Sequence, residues 1–437
     1  MKSPRISRTP LFSTKAITEI ILVLGTALLV YWQPLSKKIP LKVSDGVFVI
    51  AIGLWILFFV RKEGARTLRS ADVWFIPPLL ASILVATLMG YANYHLGMSR
   101  TGTILLGRLL TCIALFLAVY SLLLRDTSFR RSVSVAFLSP LVLFPAMVIP
   151  NGFATMWDDT GRFQGLTPNP NTAATALLVA FALACTLGAY DAGMRRRLRA
   201  LAFSGVAVGM LALIVWTGSR AYLAAAFGTA LLGTILVARH LRFPAIKFAF
   251  VAVSGLALIV TGILLVEPRR FTGSYLTHIS HDPSGPPAAP AATHQTPPEM
   301  NWFQRFSRGI IPTIEEDVRT PSTRYYSKLL SANYLGVGLN FESRFTAYHS
   351  PSRTYQGPNT ILDLPLYGGI GGVLSVAYLA FLIARRTAQR LTQAVDENPR
   401  YAIGAVTALG GLWGAAFLVG SPLFDYQFWI LTAIALA

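Results

Sequence analysis

The chain has 437 residues, of which 54% are hydrophobic and 13% charged, and its mean hydropathy is +0.54. A soluble domain carries about 25% charged residues, so the composition excludes an ordinary soluble protein and indicates an integral membrane one. The formal charge of +19 is read as a membrane feature and not a nucleic-acid footprint, because the basic residues collect in alternate loops between apolar runs.

The first fifteen residues are polar and basic, and no small-residue cleavage site follows, which predicts an uncleaved first helix. A membrane span needs about twenty apolar residues. Runs of that kind fall near 16–33, 46–61, 72–92, 103–124, 132–150, 171–190, 199–217, 221–238, 246–266, 360–384, 401–420 and 424–437, about twelve in all. The expected fold is therefore an all-α integral membrane protein. Helices 1–9 occupy residues 1–266, a large loop domain 267–358, and helices 10–12 residues 359–437. The two cysteines, Cys112 and Cys185, both lie in apolar runs and offer neither metal-ligand spacing nor a disulfide framework.

Lys and Arg in the loops set the orientation. With the N-terminus inside, the inside segments hold 22 basic residues and the short outside loops six. Both termini are then cytoplasmic, and the long loop faces the outside or periplasm. Topology and anionic lipid account for the inside clusters. The outside arginines have no such account, and function is sought there.

The long loop is polar and Arg-rich. Residues 282–298 carry six prolines, which excludes helix and central strand and predicts a linker. His281 and His294 belong with it and read as solvent-exposed. Met300 to Ile311 mixes aromatics with Arg305 and Arg308, as an interfacial helix does. Ser322 to Asn333 has helix-compatible spacing, and Gly336 and Gly338 mark a turn region.

Four outside features have the residue types for chemistry. The first is WDDTGRFQGLTPNPN (Trp157 to Asn171), where Arg162 follows Asp158 and Asp159, and Asn169 or Asn171 can cap the next helix. It also reads as an ordinary capped loop. The second is Thr217-Gly218-Ser219-Arg220, a turn so tight that Arg220 must lie at the membrane edge or point inward; it either snorkels to head groups or meets an anionic partner. The third is Arg269 with Arg270, just past the ninth run, and the fourth is Arg319 with Arg324. Arg is favoured over Lys where phosphate is clamped, because its planar fork makes bidentate hydrogen bonds. Outside, arginines outnumber lysines eleven to four. Arg108 sits within the fourth run, where a charge is costly and calls for a carboxylate or a polar cavity; Asp363 is a candidate partner.

These residues carry a family resemblance. The chain runs RFQGLTPNPNTAA (Arg162 to Ala174), WTGSRAYLAA (Trp216 to Ala225), a large outside loop, YLGVGLNF (Tyr334 to Phe341) and PNTILDLPLYGGIGGVL (Pro358 to Leu374). In that order it resembles the O-antigen ligase and O-antigen polymerase superfamily of bacterial envelope polysaccharide enzymes, over about residues 150–385. The resemblance implies a GT-C-like, lipid-linked glycosyltransferase fold and an inverting, metal-independent enzyme without a cofactor. Its donor is a glycan on undecaprenyl pyrophosphate. In a ligase the acceptor is a sugar hydroxyl of lipid A–core; in a polymerase it is another lipid-linked glycan. Arg162, Arg220, Arg269, Arg270, Arg319, Arg324 and Asn359 would bind the pyrophosphate and glycan. Arg220 would also stabilise charge at the breaking bond.

One departure stands out. Family members often carry His-Asn where this chain has Pro358-Asn359. His349 is the nearest substitute for the base that activates the acceptor, and it also reads as a loop histidine on a solvated face. No carboxylate-rich magnesium site is visible outside, where Asp158 and Asp159 are the only close pair. A transporter or flippase of lipid-linked glycan is the reading from another class, set against the absence of repeated halves. The expected partners are the lipid-linked donor, the lipid A–core acceptor and membrane lipids, with no nucleic acid.

Overall fold

The computed structural model describes residues 14–30, 34–36, 39–58, 67, 69–94, 100–151, 156–157, 162–167, 170–242, 333–340, 360–392, 399–419 and 422–437. Among them are twelve α-helices: α1 (Thr14–Ala27), α2 (Val43–Phe58), α3 (Ile76–Tyr94), α4 (Arg100–Leu123), α5 (Thr127–Ala136), α6 (Pro140–Asn151), α7 (Pro170–Gly193), α8 (Arg197–Trp216), α9 (Arg220–His240), α10 (Thr360–Thr392), α11 (Pro399–Val419) and α12 (Tyr426–Leu436). A two-stranded antiparallel ribbon, β1 (Pro34–Ser36) and β2 (Ile39–Lys42), joins α1 to α2. Six helical segments are long and apolar enough to cross a membrane: Ala71–Asn93, Gly102–Leu123, Pro170–Gly193, Arg197–Trp216, Ala221–His240 and Leu364–Thr392. Their outward surface is apolar, with Leu84, Leu88, Leu110, Leu201 and Leu374 exposed, as lipid contact requires. The described residues are those of a predominantly helical, multi-pass membrane protein.

One expected span differs in kind. Residues 132–150 form no continuous helix: α5 ends at Ala136 and α6 starts at Pro140. Proline lacks the N–H that would continue the ladder, and its ring clashes with the carbonyl four residues back. The chain turns there through Leu138 N–H to Val135 O and Ser139 N–H to Ala136 O. The run at 246–266 lies outside the described residues, as do the linker at 282–298, the helix expected at 300–311 and, except for Asn333, the one expected at 322–333.

Two helices sit at the centre. α7 is alanine-rich, with Ala173, Ala174, Ala176, Ala180, Ala182 and Ala184 all buried, and it packs on α8, α9 and α11. Small side chains let helix backbones approach closely, the main source of attraction where lipid is as apolar as leucine. α12 is buried along its whole length. Its Trp429 packs among Phe75, Phe116 and Phe428, with ring centroids 5.6–6.1 Å apart.

The tail of the long segment returns to the bundle. Residues 333–340 lie against α3 and α10 with Gly336, Val337, Gly338 and Leu339 buried. α10 is broken at Gly369 (φ 59°), four residues after Pro365. The break frees backbone groups that the returning segment takes up: Val337 N–H donates to Leu366 O (2.8 Å) and Ile370 N–H to Tyr334 O (2.9 Å). Irregular backbone at membrane depth is tolerated where protein satisfies it in this way. Gly338 (φ +70°) passes so close to α3 that a Cβ there would lie 2.2 Å from Thr87 Cα. The glycines read from sequence as a turn are therefore also a packing requirement.

Charged residues tie the helices together at the face where α4, α7, α9 and α10 end. Arg386 of α10 pairs with the buried Asp72, which also accepts from Tyr120 Oη (2.8 Å). Arg400 of α11 reaches Asp191 of α7 at 3.2 Å, with Arg196 at 3.8 Å from the same oxygen. Lys15 meets Asp126 at 2.9 Å, and Asp126 also caps α5 through Ser128 N–H.

Candidate functional site

At the opposite end of α7–α9 the structure joins two of the four features singled out in the sequence. Trp157 and Phe163 face each other in an antiparallel bridge. Gln164 N–H and Gly165 N–H both donate to Met156 O, at 2.9 and 3.1 Å, which closes a small loop with Gly165 in the left-handed region (φ +59°). The loop docks on the end of α8. Phe163 N–H donates to Trp216 O (3.0 Å), the Trp157 and Trp216 rings lie 5.7 Å apart, and Phe163 packs edge-on to Phe144 at 5.4 Å.

Arg162 is placed by this docking. Its Nε donates to Thr217 O at 2.7 Å. Thr217 follows the last residue of α8, so its carbonyl belongs to the negative end of that helix dipole, where a cation is favoured. Thr217 is itself fixed: its hydroxyl donates to Ile214 O (2.6 Å) and accepts from Ser219 N–H (3.3 Å). Gly218 (φ +64°) reverses the chain in a conformation open to glycine at no steric cost. Arg220 is the first residue of α9, and Ser219 before it makes no side-chain capping bond. The first-turn N–H groups of α9 thus have no cap from Ser219, and a helix N-terminus of this kind attracts anions. Arg162 and the Arg220 position, 58 residues apart in sequence, meet at one turn.

Below the turn, Thr175 of α7 and Tyr222 of α9 share a hydrogen bond of 2.6 Å. Asp425, which caps α12 by accepting from Gln427 N–H (2.9 Å), is close enough to Tyr222 to act on it electrostatically. A groove of about 320 Å³ runs between α9 and α11. Ala221, Ala224, Gly228 and Leu232 line it from one side and Gly410 and Gly414 from the other. It begins one residue beyond Arg220. Its lining is apolar apart from Thr229, whose hydroxyl donates to Ala225 O. Such a groove fits hydrocarbon rather than sugar.

Arg108 lies over an aromatic ring, and the side chain of Asp363, its candidate partner, lies outside what the structure describes. The Arg108 guanidinium lies 5.6 Å from the centroid of the Tyr426 ring, and Asp45 is near enough to Tyr426 to act on it electrostatically. A cation over an aromatic face with a carboxylate nearby accounts for a charge at this depth. Asp45, Tyr222, Asp425 and Tyr426 were not singled out in the sequence. The charge of Arg108 within an apolar run was the one signal that led towards Tyr426 and Asp45. Cys112 is buried, and both cysteines are free thiols.

Of the other expected site residues, Arg269, Arg270, Arg319, Arg324, His349 and Asn359 lie outside the described residues. α7 opens with Pro170, which places Asn171 inside the helix and not at its cap; proline suits that first position because its missing N–H would have no partner there. Among the described residues no group of three His, Cys, Asp or Glu is placed to hold a metal ion. No family model and no curated protein matches the chain.

Proposed function

We propose that this protein transfers a glycan from undecaprenyl pyrophosphate to a sugar hydroxyl of lipid A–core, at the face of the membrane where Arg162 meets the turn that leads into α9. The observation that carries the reading is the junction of the 156–167 loop with the α8–α9 turn. It brings one arginine and the start of a helix led by another to the mouth of an apolar groove. A lipid pyrophosphate has the matching shape, an anionic head on a hydrocarbon tail. Arg162, Arg220, Arg269, Arg270, Arg319 and Arg324 bind the head with Asn359, and the groove between α9 and α11 takes the adjoining part of the chain.

The chemistry needs two things of the protein. The pyrophosphate leaving group gains charge as the glycosidic bond breaks. Arginines held in place before the reaction stabilise that charge without reorganising, commonly the largest catalytic contribution. The acceptor hydroxyl must lose its proton to a base within hydrogen-bond reach, and His349 is assigned that role because histidine is the residue type best suited to a general base at physiological pH. The inverting, metal-independent course belongs to the proposal. In the test, His349→Ala abolishes transfer while donor binding persists; full activity in that variant would remove His349 from the mechanism. Arg162→Ala should weaken donor binding, and unchanged binding would remove Arg162 from the clamp.

A polymerase that extends the lipid-linked glycan is the second reading, favoured by Pro358 standing where the family's histidine is expected. The acceptor used in a purified reaction separates the two. The broken helix α10 raises the transporter reading, since discontinuous helices often hold substrates near the midplane. Here Leu366 O and Ile370 N–H at the break are taken up by residues 334–337, so the break acts as a packing joint.

A further inference from the structure

The face opposite the candidate site carries a second feature that glycan transfer does not use. α7 ends in a Schellman-type turn, with Arg196 N–H donating to Asp191 O (2.8 Å) and Arg195 N–H to Ala192 O (3.0 Å). α9 ends with Arg242 N–H donating to Arg239 O (3.3 Å). In both turns the residue just past the helix cap has positive φ, +58° at Arg195 and +56° at Arg242. That position is usually glycine, which bears no Cβ penalty there. Arg195 and Arg242 are the only non-glycine residues with positive φ among those described. An arginine at both positions keeps charge where glycine would relieve the backbone.

The two turns are neighbours. The Tyr190 and His240 rings stack at 6.0 Å, which sets the 195–199 turn beside the 239–242 turn. Arg195, Arg196, Arg197, Arg199, Arg239 and Arg242 are all exposed. Asp191, the buried carboxylate below them, is taken by Arg400 and Arg196. Among the described residues no carboxylate pairs with the other five arginines. Directly beside this cationic rim, Leu198 is 84% exposed and Leu201 69% exposed, as side chains facing acyl chains would be. A phosphate above and hydrocarbon below is the chemistry of a membrane phospholipid.

We infer that the α7–α8 and α9 turns form a binding site for the phosphate head group of an anionic phospholipid, whose acyl chains lie along Leu198 and Leu201. The site is distinct from the donor site and sits at the other membrane face. Basic pockets between transmembrane helices recognise anionic head groups in this way.

The test uses the full chain in nanodiscs of phosphatidylcholine, with or without phosphatidylglycerol. Lipid retained after transfer to detergent is identified by native mass spectrometry, and thermal midpoints are recorded in both bilayers. The wild type should retain phosphatidylglycerol in preference to phosphatidylcholine and melt higher in its presence. Arg195→Gly with Arg242→Gly should cut the preference by about 25-fold, since each basic residue near an anionic surface contributes roughly fivefold. The same variant should melt no lower than the wild type in pure phosphatidylcholine, because glycine suits the backbone. Should that variant fail to fold, Arg197→Gln with Arg199→Gln, both on the exposed first turn of α8, should show the same loss. Equal retention of the two lipids by the wild type, retention unchanged in a folded variant, or equal stabilisation by inorganic phosphate would each overturn the inference.

Discussion

At one end of α7–α9, Arg162 donates to a main-chain carbonyl, Thr217 O, and Arg220 opens a helix. At the other, Arg400 and Arg196 close on the carboxylate of Asp191, and Arg386 closes on Asp72. A carboxylate cancels the charge it meets and binds one helix to another. The Thr217 carbonyl orients the Arg162 guanidinium beside the start of a helix, where an anion is favoured. The difference implies a division of labour. Loss of a carboxylate-held arginine should be felt in folding, and loss of an arginine at the candidate site should be felt in activity.

Asp191→Ala is the strongest way to sharpen that contrast. It leaves Arg400, with a side chain only 10% exposed, without its carboxylate. Removing one partner of a buried ion pair costs about 3–5 kcal/mol. The variant should lose that much stability in detergent unfolding and keep its activity per folded molecule. Arg220→Ala should do the reverse. Transfer should fall by about 10²–10³-fold, the usual effect of losing one preorganised donor, with expression and thermal midpoint unchanged. Normal transfer in that variant would break the comparison at its functional end. Asp72→Asn should cost less than Asp191→Ala, about 1 kcal/mol, because Arg386 is 43% exposed and can turn to solvent. Unfolding of the two variants side by side gives the ranking.

The smallest effect expected is one of pH. The Ser128 hydroxyl, Lys15 and the Ser128 N–H hold the Asp126 carboxyl down at about 2, against an ordinary value of 3.8. A depressed carboxyl stabilises the fold above its unfolded value, and the stabilisation fades as pH falls towards the folded one. Stability should therefore drop between about pH 4 and pH 2, and Asp126→Asn should flatten that part of the profile. Equal slopes in the two proteins would remove Asp126 from the account.

The long apolar helices were legible in the sequence because spanning a membrane is a property of composition and length. α3, α4, α7, α8 and α9 fall within a few residues of the expected runs. The break before α6 was not read, although Pro140 was in view, because a hydropathy window does not register a missing N–H. The packing of residues 333–340 against Gly369 and Thr87 was beyond the sequence for another reason. Gly336 and Gly338 announce a turn, but nothing local says which helix they will meet. The site was legible to the same depth. Arg162 and Arg220 were singled out by residue type and tight loops, whereas their junction through Thr217 O depends on how the 156–167 loop docks on α8. Arg108 called for a partner, and Asp45 and Tyr426, 63 and 318 residues away, could not be matched to it by spacing.

The central claim is tested most directly by giving purified protein a glycan-loaded undecaprenyl pyrophosphate donor, with lipid A–core as the only separate acceptor, in excess chelator. The account predicts glycan-capped lipid A–core, formed by the wild type and not by Arg220→Ala. Longer lipid-linked chains with no capped product would assign the polymerase reaction instead, and no transfer to any acceptor would contradict the account.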